Sequence, residues 1–161
     1  YRSSRAKAGD IAGKITARGY RVIKIDGSKG QNMMIYCCGC SIEVNARLID
    51  GSEAYPHRPD LYDLPFWKCD TCGNFVGCHH KTNNPTRPLG VIATQEIKDA
   101  RKRVHAIIDP LWKSKNHTRN YVYRHIGKIL NKPGYAFHSA EIRSVEEAER
   151  VIDALEKRPV C

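Results

Sequence analysis

Two Cys-x-x-Cys pairs, Cys37/Cys40 and Cys69/Cys72, constrain this chain more than any other feature in it. At that spacing each pair can turn two thiolates toward one point, and two such knuckles brought face to face supply the four tetrahedral ligands of a structural zinc ion. Gly39 lies inside the first pair, Ser41 follows it and Gly73 follows the second, so both turns are short and conformationally permissive. Cys37, Cys40, Cys69 and Cys72 are therefore the expected Zn2+ ligands. Four thiolates make a closed structural site, without the open position that a catalytic zinc keeps for water. Cys78, His79 and His80 follow Cys72 closely enough to substitute for a ligand or to support one from outside, whereas Cys38 reads as a bystander.

Seven cysteines could frame disulfides in a secreted chain, but the count is odd, no apolar leader stands near Tyr1 and no apolar run is long enough to span a bilayer. The expectation is reduced cysteines holding a metal in the cytoplasm, with no membrane partner. Lys and Arg total 27 against 17 Asp and Glu, a net charge of +10, which favours a polyanionic partner over a cationic one. A length of 161 residues suits one folding unit.

The pattern divides into residues 1–19, a basic arm ending in a short helical turn over 10–18; residues 20–80, the zinc-ribbon module; and residues 81–161, a basic helical portion packed on the ribbon. Within the ribbon, residues 20–25 and 33–36 read as strands, and residues 42–48 as a third with Ile42, Val44, Ala46 and Leu48 on one face. Phe66 and Trp67 lead into the second knuckle and Phe75 and Val76 lead out of it. The turn-rich segment 55–62 reads equally as a recognition loop or as a loop pinned to a small core by its tyrosines. Ile97, Val104, Ile108 and Leu111 mark a helix starting near Thr94, with Pro110 near its end. Residues 118–130 read as a second helix, and residues 145–157 as a third introduced by the capping box Ser144/Glu147. The fold class is α+β, a zinc ribbon of short antiparallel strands with about three packed helices.

Two constellations could carry function. Arg101, His105 and Asp109, four apart on one helix face, place a histidine beside a carboxylate and an arginine, which suits a general base and a phosphate clamp; the same residues form an ordinary polar ladder that docks one helix on its neighbours. A nuclease or other phosphodiesterase could use this set, or one of His117, His125 and His138. The second group, Arg103, Lys113, Lys115, Arg119, Tyr121, Arg124 and Lys128, sets cations and aromatic faces at helical spacing, which suits binding of DNA or RNA. Lys98, Arg101 and Lys102 would extend that footprint. A third reading is a protein inhibitor of a host factor whose acidic surface meets the positive charge.

The order of these features resembles the phage and prophage family of zinc-finger-containing domain proteins: Cys37 to Cys40, then YPHRPDLY, FWKCDTCGNFVGCH, PLG at Pro88 to Gly90, and a helix with Arg101 and His105 closing in DPLW at Asp109 to Trp112. The resemblance implies a small phage-associated zinc-ribbon protein with Cys37, Cys40, Cys69 and Cys72 as ligands. Gly77, His79, Pro88, Leu89, Gly90, Arg101, His105, Asp109 and Trp112 are its pattern positions without an assigned role. The chain departs from the pattern at Cys38 and Gly39 and in a longer run after His80.

Overall fold

Alternating apolar residues and two tight turns build a sheet before the helical half begins. The computed structural model describes residues 30–161; the arm and the elements expected at 10–18 and 20–25 lie outside the described residues. Strands β1 (Asn32–Cys37), β2 (Ile42–Asp50), β3 (Pro65–Lys68) and β4 (Phe75–Gly77) form one antiparallel sheet in the order β1-β2-β3-β4. On β2 the expected face is realised toward its far end: Ala46 and Leu48 are buried and Val44 is partly covered, while Ile42, beside the first knuckle, is 61% exposed. Their interior contains Ile35, Trp67, Val76 and Ile92 together with Cys37, Cys69 and Cys78. Trp67 is the largest of these side chains, and its buried indole N–H donates to Thr86 O at 2.7 Å, so its polar atom is satisfied as well.

Between β2 and β3 the chain makes a one-turn helix, α1 (Gly51–Ala54), capped by the Asp50 carboxylate, and a 3-10 turn at Pro59–Leu61. Of the two readings of this segment, the geometry matches the pinned loop. Tyr55 packs edge-on against Phe66 and Phe75, with ring centroids 5.6 and 5.0 Å apart, Tyr62 donates to Pro56 O, and Arg58 pairs with Asp60.

The passage to the helical half is built on β1. Ile92 donates to Tyr36 O at 2.9 Å and accepts from Cys38 N at 2.8 Å, a parallel bridge that carries the chain from the ribbon into helix α2 (Gln95–Lys113). Helices α3 (Arg119–Ile129) and α4 (Val145–Lys157) follow, and the three are capped by Thr94, Thr118 and Ser144, whose hydroxyls accept from the backbone N–H three residues on. Ile97, Val104 and Ile108 are buried as their spacing predicts, and α2 continues past Pro110 to Lys113. Val104, Ile108, Val122, Ile126, Val151 and Leu155 lie in a second core. Burial of each such aliphatic side chain contributes about 1.5–3 kcal/mol.

Cations bind the two halves together. The Arg143 guanidinium lies 4.1 Å above the Tyr36 ring, and the Lys98 ammonium 4.2 Å above that of Phe75. Gly90 passes so close beneath the 3-10 turn Ser139–Glu141 that a Cβ there would stand 2.4 Å from Ala140 O. Among the described residues no helix is long and apolar enough to cross a membrane.

Candidate metal centre and basic helical surface

Each knuckle occupies the turn of a hairpin. The first joins β1 to β2 and the second β3 to β4; since β2 pairs with β3, both turns project from the same end of the sheet. Ser41 (φ 59°) and Gly73 (φ 77°), each just beyond the second cysteine of its pair, take left-handed backbone that closes the turn. At Gly39 a Cβ would stand 2.7 Å from Asn74 Nδ2 and 3.1 Å from Cys72 Sγ, so a larger residue there would have to push aside the Asn74 side chain that hydrogen-bonds this sulfur.

The Sγ atoms of Cys37, Cys40, Cys69 and Cys72 all lie within 4.8 Å of one another. Cys37 and Cys72 are 3.4 Å apart, Cys40 and Cys69 3.7 Å. Zinc–sulfur bonds of about 2.3 Å set tetrahedral sulfurs about 3.8 Å apart, so the thiols enclose a space of zinc's dimensions. Burial pushes the Cys37 thiol up to about 12. Burial also raises Cys72, but hydrogen bonds from the Asn74 backbone and side chain, and from neighbouring thiols, outweigh it and bring this thiol down to about 7. Four packed thiols repel one another once ionised, and a dication removes that conflict. The donor set fits structural Zn2+, held by these four cysteines and serving to tie the two hairpins together.

The other three candidate ligands lie outside this group. Cys78 is 3% exposed in the ribbon core, and burial alone pushes its thiol up to about 12. His79 and His80 belong to the following turn, where the His79 N–H donates to Arg87 O at 2.8 Å and His80 Nδ1 lies 3.3 Å from Cys78 O.

A charged clamp that sequence patterning missed braces the second knuckle. Arg47 forks onto Asp70, between Cys69 and Cys72, at 2.8 and 2.9 Å, and onto Glu53 at 2.8 and 3.1 Å, while Lys68 reaches Glu53 at 2.8 Å. Residues of β2, α1, β3 and the second knuckle meet in it, so no local signal announces it.

On α2 the expected ladder divides. Arg101 donates from Nε and Nη2 to Ile142 O at 3.1 and 2.6 Å and is largely withdrawn from solvent, so its guanidinium docks the segment before α4. His105 Nδ1 lies 3.1 Å from Asp109 Oδ1 and His105 Nε2 lies 2.9 Å from Ser139 Oγ. An ionised carboxylate can only accept, so Nδ1 carries a proton, and in the neutral imidazole Nε2 then accepts from the serine hydroxyl. Partial burial raises the Asp109 carboxyl, but hydrogen bonds from His105 and Lys113 outweigh it and hold the group below its ordinary value. The atoms follow the order of a serine hydrolase relay. Ser139, however, is only 5% exposed, and what the contact does in this structure is anchor the 3-10 turn Ser139–Glu141 to α2.

The basic candidates fall into two sets. On α2, Lys98 and Arg101 are engaged by Phe75 and Ile142 O within the fold, while Lys102 and Arg103 lie at the surface in pairs with Asp99 and Glu149. The cations of the α2–α3 corner and of α3 face outward. Arg119 lies over the rings of Trp112 and Tyr123 at 5.6 and 5.0 Å, Lys113 over Trp112 at 5.5 Å, and the exposed Tyr121 stacks on His117 at 5.2 Å. Lys113 also pairs with Asp109 at 3.1 Å. Arg124 and Lys128, four apart, are exposed on α3, and Lys115 is exposed in the preceding turn, where its φ is 63°. Sequence reading also missed the loop beyond α3, where Tyr135 and Phe137 line one cavity with Arg119 and Arg124; Asn131 and the Pro133-Gly134 pair mark a turn there but not its contents.

No curated protein and no solved structure matches this chain. A family model described as a zinc-finger-containing domain matches residues 30–158, which takes in both knuckles and all three long helices, and the chain belongs to that family.

Proposed function

We propose that this protein is a phage-type accessory factor of the host cytoplasm that binds DNA or RNA through its basic helical half, with zinc stapling the ribbon that carries that half. The observation that carries this reading is a segregation of charge. From Pro110 to Ala140 the chain contains no Asp or Glu, yet it contains Lys113, Lys115, Arg119, Arg124, Lys128 and Lys132, with His117, His125 and His138 among them. Acidic residues return at Glu141 and then on α4, at Glu146, Glu147, Glu149, Asp153 and Glu156. Lys113 and Lys132 pair with Asp109 and Glu147, and the remaining exposed cations, with the aromatic rings among them, offer phosphate contacts with stacking platforms between.

The hydrolase reading ranks below it because Arg101 is occupied by a backbone carbonyl and the Ser139 hydroxyl is buried. Fluorescence anisotropy with labelled single-stranded DNA, duplex DNA and RNA at low salt tests the proposal. Binding should weaken steeply as salt rises, because phosphate contacts release counterions. Absence of binding to all three at low salt overturns it.

A further inference from the structure

Beside α3 the chain folds back on itself to form an open cavity of about 580 Å³, lined by Arg119, Tyr123, Arg124, Tyr135, Phe137 and His138 among others, with no acidic residue in its wall. Two backbone features build it. Gly127 lets the loop press onto α3, since a Cβ there would stand 2.1 Å from Tyr135 O. Gly134 and Tyr135 then take consecutive left-handed conformations, with φ of 61° and 54°. For an aromatic residue that backbone is unfavourable, and such outliers concentrate where a side chain must be aimed. Tyr135 is 44% exposed and stacks on no other ring among the described residues. The rest of the wall is ordered: Tyr123 packs against Phe137 and His138 at 5.6 and 6.0 Å, and Arg119 Nη2 donates to the Tyr123 hydroxyl at 3.3 Å. No carboxylate pairs with Arg119 or Arg124 among the described residues.

We infer that this cavity receives one unpaired nucleotide of a single strand, its base against the ring of Tyr135 and its phosphate between Arg119 and Arg124. The volume lies in the range of small-ligand clefts. A free aromatic face beside guanidiniums that no described carboxylate neutralises matches a nucleotide's flat base and its anion, whereas a paired base in a duplex keeps both faces stacked on its neighbours. The inference rests on the nucleic-acid reading above and narrows it to single strands.

The test uses the whole zinc-loaded protein and an oligonucleotide carrying one 2-aminopurine, whose fluorescence falls when the base stacks on an aromatic ring. Wild type should quench the single-stranded probe and bind it at least tenfold more tightly than the same sequence as a duplex. Tyr135→Gly removes the ring at a position whose backbone glycine adopts freely, so the fold is retained. It should abolish the quenching and weaken single-strand binding about tenfold, with duplex binding unchanged. Arg124→Ala should weaken both forms by a similar factor while some quenching remains. Equal affinity for single strand and duplex, unaffected by Tyr135→Gly, overturns the cavity assignment and leaves general nucleic-acid binding standing. Absence of binding to any nucleic acid overturns both. Displacement of the probe by polyglutamate as effectively as by unlabelled oligonucleotide overturns the cavity assignment in favour of an acidic protein partner.

Discussion

The Nε2 of His105 and the hydroxyl of Ser139, 34 positions apart in the chain, meet at 2.9 Å, with Asp109 holding the opposite side of the imidazole. If this contact is an anchor for the Ser139–Glu141 turn, it should register in stability. His105→Ala leaves the buried serine hydroxyl without its partner and should cost about 1–3 kcal/mol; Ser139→Ala leaves an imidazole nitrogen that water can reach and should cost about 1 kcal/mol. The double variant should be less unstable than the sum of the two. Urea unfolding of all four proteins measures this. Covalent labelling of Ser139 by a serine-directed fluorophosphonate in wild type, but not in His105→Ala, would establish a reactive nucleophile and defeat the anchoring role.

The ligand set predicts a sharp division among the cysteines. Cys40→Ser or Cys72→Ser should lower zinc content well below one ion per chain and leave the ribbon half unfolded, because metal binding and folding of such a module are one equilibrium. A strong chelator should do the same to wild type, seen as collapse of near-ultraviolet circular dichroism from the Trp67 environment. Cys78→Ala should keep full zinc content and lose only the packing of a core sulfur, about 1–2 kcal/mol. Zinc loss in Cys78→Ala with the remaining fold intact would mean that the fourth ligand has been misassigned.

The parts of this structure that were legible in the sequence are those whose cause is local. A Cys-x-x-Cys turn, an alternating strand, the Ile97/Val104/Ile108 stripe and the Ser144 cap each depend on residues within about three helical turns, and each lies where its spacing places it. Even there the fit is incomplete. Glu147 of the capping box reaches back to the Arg143 N–H rather than to that of Ser144. Ile42 follows the strand alternation yet stays in solvent beside the first knuckle. What was illegible depends on chain reversal over long distances: Ile92 bridging to β1, Arg47 reaching the second knuckle, Ser139 arriving at His105, and Tyr135 turned over α3 by two glycines whose role shows only in close approach and φ. Periodicity says which face of α2 is polar; it does not say that Arg101 on that face is taken by a carbonyl from the segment before α4.

The clamp around Glu53 should give the ribbon an acid-sensitive component. Arg47 first, and Lys68 second, hold the Glu53 carboxyl at about 2, below its usual 4.5. A folded-state value below the unfolded one means that the stabilisation is complete above about pH 4.5 and fades as pH falls toward 2. The group is 39% exposed, and solvent screening reduces the contribution to about 1 kcal/mol. Glu53→Gln should therefore be less stable than wild type by about that amount at pH 7, with the gap narrowing below pH 4.5 and closing toward pH 2. Release of zinc as its thiolates protonate is common to both proteins, so it cancels in the difference. A gap that stays constant over this range would show that Glu53 acts through packing and not through charge.

Two glycines near the cavity make opposite demands, and their variants should separate them. Gly127 lies inside α3, where Gly→Ala ordinarily stabilises a helix by about 1 kcal/mol. Here the added Cβ would meet the Tyr135 carbonyl at 2.1 Å, and that oxygen belongs to backbone that can retreat only by lifting the loop off the helix. Gly127→Ala should thus destabilise the protein by about 2 kcal/mol or more, as overpacking does. At Gly134 there is open space around the missing Cβ, but the backbone is left-handed, so Gly134→Ala should cost only about 1 kcal/mol. Asparagine tolerates that backbone and needs more room than alanine, which makes it the discriminating residue. Gly134→Asn should recover most of the loss seen with Gly134→Ala, and Gly127→Asn should be worse than Gly127→Ala. The same order in thermal midpoints would tie the placement of Tyr135 to a steric seat on α3 and a conformational hinge beside it; equal effects at the two positions would leave the loop held by neither.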